Sequence, residues 1–306
     1  MHQRRDHATD LGLLALAAIW GINFSVVKAV LGVLDPLALN ALRFPLAALV
    51  LAAVMARRPA PPIERADRVP IAILGILGNV VYQVAFIQGI DATLAGNASL
   101  LLATSPVWTV LLSAALGHEE PKPLVFMGSA ITLGGMALVV LGGGRAVGWG
   151  WETLRGDALM VGASLLWSIY TVGSGRYVRK YGAIRVTAWT LWVGTPLLVL
   201  LGVPSLLSTS WGSVPAWAWG GVAYAGVLSV GLAYLLWYRG VKRLGNSRTA
   251  LYSNLVPVAA LLTAWLWLDE VPTALQAGGA VVILAGISLA RWDGARRHAG
   301  GPSSLR

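Results

Sequence analysis

The chain contains no cysteine, which excludes disulfides, thiolate metal sites and cysteine nucleophiles. Charge is also scarce: Asp, Glu, Lys and Arg make up 12% of the 306 residues, about half of the roughly 25% that soluble domains carry. The 13 Asp and Glu and the 4 His all fall at the ends of the apolar runs or between them. No apolar run therefore holds a carboxylate or imidazole at its centre, so a chain that carried a solute through such runs would move it down a gradient or couple through some other group. No Gly-rich phosphate loop, H-E-x-x-H pair, nucleophile elbow or acidic metal cluster stands at a usable place, so neither enzyme chemistry nor a cofactor is expected.

What the chain has is apolar length. Hydrophobic residues are 57% of the sequence, and the mean hydropathy is +0.69. A bilayer core takes about 20 apolar residues per helix, and ten such stretches follow one another: 11–31, 36–56, 69–90, 95–116, 123–142, 157–176, 184–203, 215–238, 247–268 and 272–291. The first is read as a helix and not a secretory signal, because Asn23 and Lys28 interrupt it and no small-residue cleavage site follows. The fold class expected is an all-α integral membrane protein with ten transmembrane helices.

Threading ten spans places 19 of the 23 Lys and Arg on one side, in clusters such as Arg57, Arg58, Arg65 and Arg68 or Arg239, Lys242, Arg243 and Arg248. The other side keeps three: Lys28, Arg145 and Arg155. Cytoplasmic loops hold the excess, so both termini are assigned to the cytoplasm. The net charge of +10 then reflects this bias and contact with anionic lipid heads, with no nucleic-acid partner. Residues 292–306, ending in GGPSSLR, read as a disordered tail.

The sequence also repeats itself. Gly89, Pro106, Glu119, Pro121, Gly128 and Gly135 recur 151 positions later as Gly240, Pro257, Glu270, Pro272, Gly279 and Gly286, and an offset of 147 matches Asp10 with Asp157 and Trp20 with Trp167. Two units result, 10–142 and 157–291, each of five helices. An odd number forces the second unit to enter the membrane upside down, giving an inverted-topology repeat, and secondary transporters with that architecture bind substrate near the midplane between the halves. Pro106 and Pro257 fall mid-helix, where each removes a backbone hydrogen bond and predicts a kink or a freed carbonyl.

The duplicated unit, with SPVWTVLLSAALGHEEP in the first half and VPVAALLTAWLWLDEVP in the second, resembles the EamA type of the drug/metabolite transporter superfamily. The likeness runs over residues 10–291. The ten-helix length and mid-membrane Trp and Tyr are similar to the YddG-type amino acid exporters. That resemblance implies efflux of aromatic and other neutral amino acids across a bacterial inner membrane without ATP hydrolysis.

Candidate site residues come from depth and helical face. Trp20 and Trp167 each lie ten residues, or about 15 Å, inside their helices, half of a roughly 30 Å core. Asn23 and Tyr170 follow three residues later on the same faces. Asn79, Tyr82, Gln83 and Phe86 form one stripe at i, i+3, i+4 and i+7; for Asn79 and Gln83, helix-to-helix bonding and cavity lining carry equal weight. Trp108, Tyr224 and Tyr252 complete the substrate-binding set. Glu119 and Glu270, each beside a helix-initiating proline, read as caps of the helices that they precede. Trp149, Trp151, Trp211, Trp217, Trp219, Trp265 and Trp267 read as interfacial anchors. Arg43, inside the second helix, stays outside the set; snorkelling, carbonyl pairing, water and a substrate carboxylate are all open to it.

An uncharged aromatic cavity suits amino acids with apolar side chains, whose ammonium and carboxylate groups Asn and Gln can bind. The expected partners are thus a small-molecule substrate of the amino acid class and membrane lipid, with the protein acting as a monomer. The alternatives are export of cationic drugs, which aromatic boxes also attract, and, outside transport by carriers, a channel or an interaction protein.

Overall fold

A computed structural model describes residues 7–57, 62–117, 123–147, 150–244, 249 and 252–299. Among the described residues there are helices and connecting turns and no strand. The helices are α1 (His7–Leu31), α2 (Pro36–Ala56), α3 (Arg65–Ala92), α4 (Ala95–Ala115), α5 (Pro123–Val147), α6 (Trp151–Tyr181), α7 (Ala183–Ser208), α8 (Ala216–Leu244), α9 (Leu255–Leu268) and α10 (Ala274–Ala299). Eight of them, α1 to α8, are long and apolar enough to cross a membrane. Of the ten spans expected, the last two are shorter apolar runs, Leu255–Leu268 and Ala274–Leu289.

Local chemistry sets the boundaries. Asp35 caps α2, its Oδ1 accepting from Leu37 N at 2.8 Å, and Pro36 occupies the first turn, where its missing N–H costs nothing. Gly182 alone joins α6 to α7 at φ 82°, a left-handed backbone that glycine adopts without steric penalty. The predicted kink at Pro106 is a break: α4 turns at Ala103 and Thr104 and restarts at Ser105, so the proline sits in a first turn instead of a helix interior. Asn254 makes the corresponding turn ahead of α9. π-helical stretches interrupt α3 at Leu77–Val81 and α8 at Tyr224–Leu232. The 151-residue offset maps the first inside the second.

Lipid tails are as apolar as leucine, so helix association rests on close packing and polar contacts. The most extensive helix contact among the described residues lies between α5 and α10. A Cβ on Gly135 would meet the carbonyl O of Gly279 at 2.9 Å, and one on Gly286 would meet that of Gly128 at 2.7 Å. Rising numbers on one helix meet falling numbers on the other, so the two run antiparallel. The α2–α7 pair does the same, with Gly202 against Leu37 and Ala41 while Trp192 Nε1 donates to Ala48 O. Gly75 of α3 abuts Thr190 of α7, and Gly226 of α8 abuts Arg43 of α2; Gly89 meets Met160, and Gly240 meets Leu13. In both pairs of contacts the glycines are 151 positions apart and their partners 147. The main buried cluster, from Phe24 and Val27 through Tyr82, Phe86 and Met160 to Ile283, draws on both halves.

Candidate functional site

Aromatic rings form a continuous row through the middle of the bundle. Phe24 of α1 meets Phe86 of α3 edge-on with centroids 5.8 Å apart. Phe86 meets Tyr82 at 5.7 Å, Tyr82 meets Trp167 of α6 at 5.3 Å, and Trp167 meets Tyr170 at 5.5 Å. A second group surrounds Trp20, whose ring lies 6.2 Å from Tyr234 and 5.8 Å from Trp237 of α8. The indole of Trp20 donates from Nε1 to Ser229 O at 2.9 Å, inside the π-helical stretch of α8. A π-helical turn displaces carbonyls from the regular ladder, and here one of them holds the indole in place.

Beside the row lies the buried cation. Arg43 is 2% exposed. Its Nε donates to Asn40 Oδ1 at 3.0 Å and its Nη2 to Gln83 Oε1 at 2.9 Å, while the guanidinium carbon stands 5.4 Å from the Phe44 centroid and 5.6 Å from that of Phe86. Asn40 Nδ2 in turn donates to Gln83 O at 3.1 Å. Four residues from α2 and α3 thus fix the guanidinium in one orientation.

Of the sequence-predicted residues, Trp20, Tyr82, Trp167 and Tyr170 lie in the two aromatic groups. Gln83 is spent on Arg43, and Asn79 packs against Gly194 of α7. Asn23 is 5% exposed and its Oδ1 has no hydrogen-bond partner among the described residues. Tyr224 donates to Ile19 O at 2.9 Å, one residue from Trp20. Trp108, with its Nε1 buried and unpaired, makes no ring contact among the described residues. Tyr252 lies elsewhere: it donates to Asp10 Oδ1 at 2.7 Å, in the first turn of α1 and about 15 Å of helix away from Trp20. Arg43, Tyr234 and Trp237 are additions. Tyr234 and Trp237 are the repeat mates of Gln83 and Phe86, so the 151-residue offset applied to the α3 stripe points to them.

A model of the EamA-like transporter family matches residues 7–141 and again 154–292. The chain belongs to this family. The transporter is 31% identical over 276 residues to the uncharacterized transporter YdfC of Bacillus subtilis, covering 89% of this chain and 87% of that one. It is 29% identical over 297 residues to a protein of Streptantibioticus cattleyicolor named "Probable terminal-alkyne amino-acid exporter", covering 95% and 96% of the two chains. A solved crystal structure at 25% identity superposes with a TM-score of 0.66 over 97% of this chain and 100% of the other. Family and hydropathy together make this a multi-pass membrane protein.

Polar bonds tie helix ends together at one end of the bundle. Lys28 donates to the last carbonyls of α3, Ile90 O at 2.9 Å and Asp91 O at 2.6 Å. Glu270 accepts from Ala95 N at 3.0 Å and Gly96 N at 3.2 Å. It is therefore a cap, as its helix-end position suggested, but of α4 in the other half and not of the helix that it precedes: the left-handed residue Asp269 ends α9 and turns the carboxylate across the bundle. Glu119 lies outside the described residues. Asp157, near the start of α6, is 2% exposed and its Oδ1 accepts from Thr93 at 2.6 Å; Gln276 donates to Asn97 at 2.7 Å. A helix-end carboxylate can thus still be removed from water. Among the described residues no group of three or more His, Asp or Glu is arranged to hold a metal ion. Trp151, Trp211, Trp217, Trp219, Trp265 and Trp267 are all exposed, and Trp149 lies outside the described residues.

Proposed function

We propose that this transporter exports amino acids, chiefly aromatic and other neutral ones, by alternating access through a midplane cavity, as a secondary carrier without ATP hydrolysis. The observation that carries the reading is the row Phe24, Phe86, Tyr82, Trp167 and Tyr170, which joins α1 and α3 of one half to α6 of the other at the depth where a substrate would change sides. Aromatic faces pack on apolar side chains, and each such pair contributes about 0.5–1.5 kcal/mol beyond area burial. The unpaired Oδ1 of Asn23 is a ready acceptor for an ammonium group. The named relative from Streptantibioticus cattleyicolor is consistent with cargo of this class.

The two five-helix units, 10–142 and 157–291, act as inverted halves around this site. Antiparallel packing of the repeat mates α5 with α10 and α2 with α7, and the exchange of glycine contacts between halves, favour that arrangement. Inverted halves can trade shapes, which gives access from either side in turn. The protein resides in a bacterial inner membrane with both termini in the cytoplasm and works as a monomer, and residues 292–306 take no part in transport.

The test is flux of a labelled amino-acid panel into proteoliposomes, with Tyr82→Ala and Trp167→Ala as companions. Saturable flux of aromatic amino acids that both variants reduce supports the proposal. Flux of cationic dyes but of no amino acid, or a panel unaltered in rate and selectivity by either variant, contradicts it.

A further inference from the structure

A buried charge without a counter-ion is costly, and proteins tolerate one where something else supplies the missing charge. The only acceptors that the described residues offer Arg43 are neutral: Asn40 Oδ1 and Gln83 Oε1. The faces of Phe44 and Phe86 offset part of the cost without neutralising it. Among the described residues no Asp or Glu pairs with Arg43, and Nη1 donates to none of them.

The repeat shows what the site is like when no charge is needed. The 147-residue offset maps Asn23 on Tyr170 and Arg43 on Thr190. In the second half these mates close on each other, Tyr170 Oη and Thr190 Oγ1 being 3.2 Å apart. In the first half the same two positions hold an amide oxygen without a partner and a cation without an anion. The departure from symmetry thus puts one hydrogen-bond acceptor and one positive charge beside Phe24 and Phe86.

We propose that Arg43 is the carboxylate-binding residue of the transport site, its counter-ion being the acid group of the cargo, so that the site takes aromatic and aliphatic carboxylates and rejects organic cations. The proposal rests on the reading of the aromatic row as the transport site. Gln83 and Asn40 hold the fork, Phe86 covers one face, and Nη1 remains for a carboxylate oxygen. A guanidinium keeps its charge at any physiological pH and presents a planar fork to the acid, which suits it to this role better than lysine.

The test uses the full chain, purified, and reads binding as ligand-induced thermal stabilisation, which needs no transport. The probes are phenylalanine, 3-phenylpropionate, phenylalaninamide and phenethylamine. Phenylalanine and 3-phenylpropionate are expected to bind at least about tenfold more tightly than the amide and the amine, the scale of one charge-assisted hydrogen bond. Gln83→Glu, which gives Arg43 an internal carboxylate, is expected to fold with an unliganded midpoint no lower than that of the wild type and to lose at least about tenfold in affinity for both acids. Amide binding as tight as that of phenylalanine in the wild type overturns the proposal, and so does a folded Gln83→Glu variant with wild-type affinity. The wild-type comparison stands even where the variant fails to fold. Binding of 3-phenylpropionate without binding or flux of any amino acid supports the role of Arg43 while defeating the amino-acid reading. Amino-acid flux with equal competition by the amide does the reverse.

Discussion

Arg43 Nη2 donates to Gln83 Oε1 at 2.9 Å, tying a buried cation on α2 to the face of α3 that carries Tyr82 and Phe86. The bond decides which way a long, buried side chain points. The Gln83 side chain thereby joins α2 to α3 and orients the charge beside the aromatic row.

Gln83→Leu removes this acceptor and leaves the guanidinium with one fewer partner. Hydrogen bonds to charged groups contribute about 1.5–3 kcal/mol, so the variant should unfold at lower temperature by a corresponding margin. Thermal unfolding in detergent checks this. A wild-type midpoint would show that the bond contributes nothing to stability.

Trp167 bridges Tyr82 and Tyr170. Trp167→Ala forfeits two ring pairs of about 0.5–1.5 kcal/mol each and opens the row at its centre. Uptake of phenylalanine should fall more than uptake of alanine, whose methyl group has little to lose, whereas Trp167→Phe should retain most of both. Labelled uptake of the two amino acids by each variant measures the difference.

Much of the scaffold was legible from composition, because bilayer thickness fixes span length and glycines that allow close approach recur in register in both halves. The sequence predicts a mid-helix kink at Pro106, whereas α4 breaks at Ala103 and Thr104 and leaves the proline in a first turn, where its missing N–H costs no hydrogen bond. The partner of Glu270 was not legible. Sequence shows that a carboxylate stands near a helix start, but the nearest start in space belongs to α4, some 175 positions away in the chain. Arg43 was undecided for a similar reason: its depth can be counted along α2, whereas its surroundings on α3 depend on packing. Proximity to Pro257 gives no depth for Tyr252, whose bond to Asp10 ties it to the first turn of α1. The Tyr234 and Trp237 pair was within reach, since the repeat that paired Trp20 with Trp167 also pairs it with Gln83 and Phe86.

Glu270 supplies acceptors for two first-turn amides of α4. Glu270→Ala should cost about 0.5–2 kcal/mol, the usual loss for a removed N-terminal cap, and Glu270→Gln, which keeps one acceptor, should cost less. Their unfolding midpoints should therefore rank wild type, then Gln, then Ala. Abolished transport by Glu270→Gln at full stability would instead assign the carboxylate a chemical role.

The α5–α10 contact predicts a contrast between neighbours. A Cβ on Gly279 would lie 2.8 Å from Gly135 O and 3.0 Å from Val139 N, while one on Gly278 meets nothing within 4 Å. Gly279→Val should destabilise by about 1–3 kcal/mol or more through overpacking, and Gly278→Val should be nearly neutral. Folded yield by size-exclusion chromatography distinguishes them.

The central claim is that an amino acid crosses by occupying the aromatic row, and counterflow tests it most directly. Proteoliposomes loaded with unlabelled tryptophan should take up labelled phenylalanine transiently above equilibrium. That overshoot should saturate with concentration and be strongly reduced by Tyr82→Ala. Flux that rises linearly without counterflow, or counterflow that Tyr82→Ala leaves unchanged, would contradict the account.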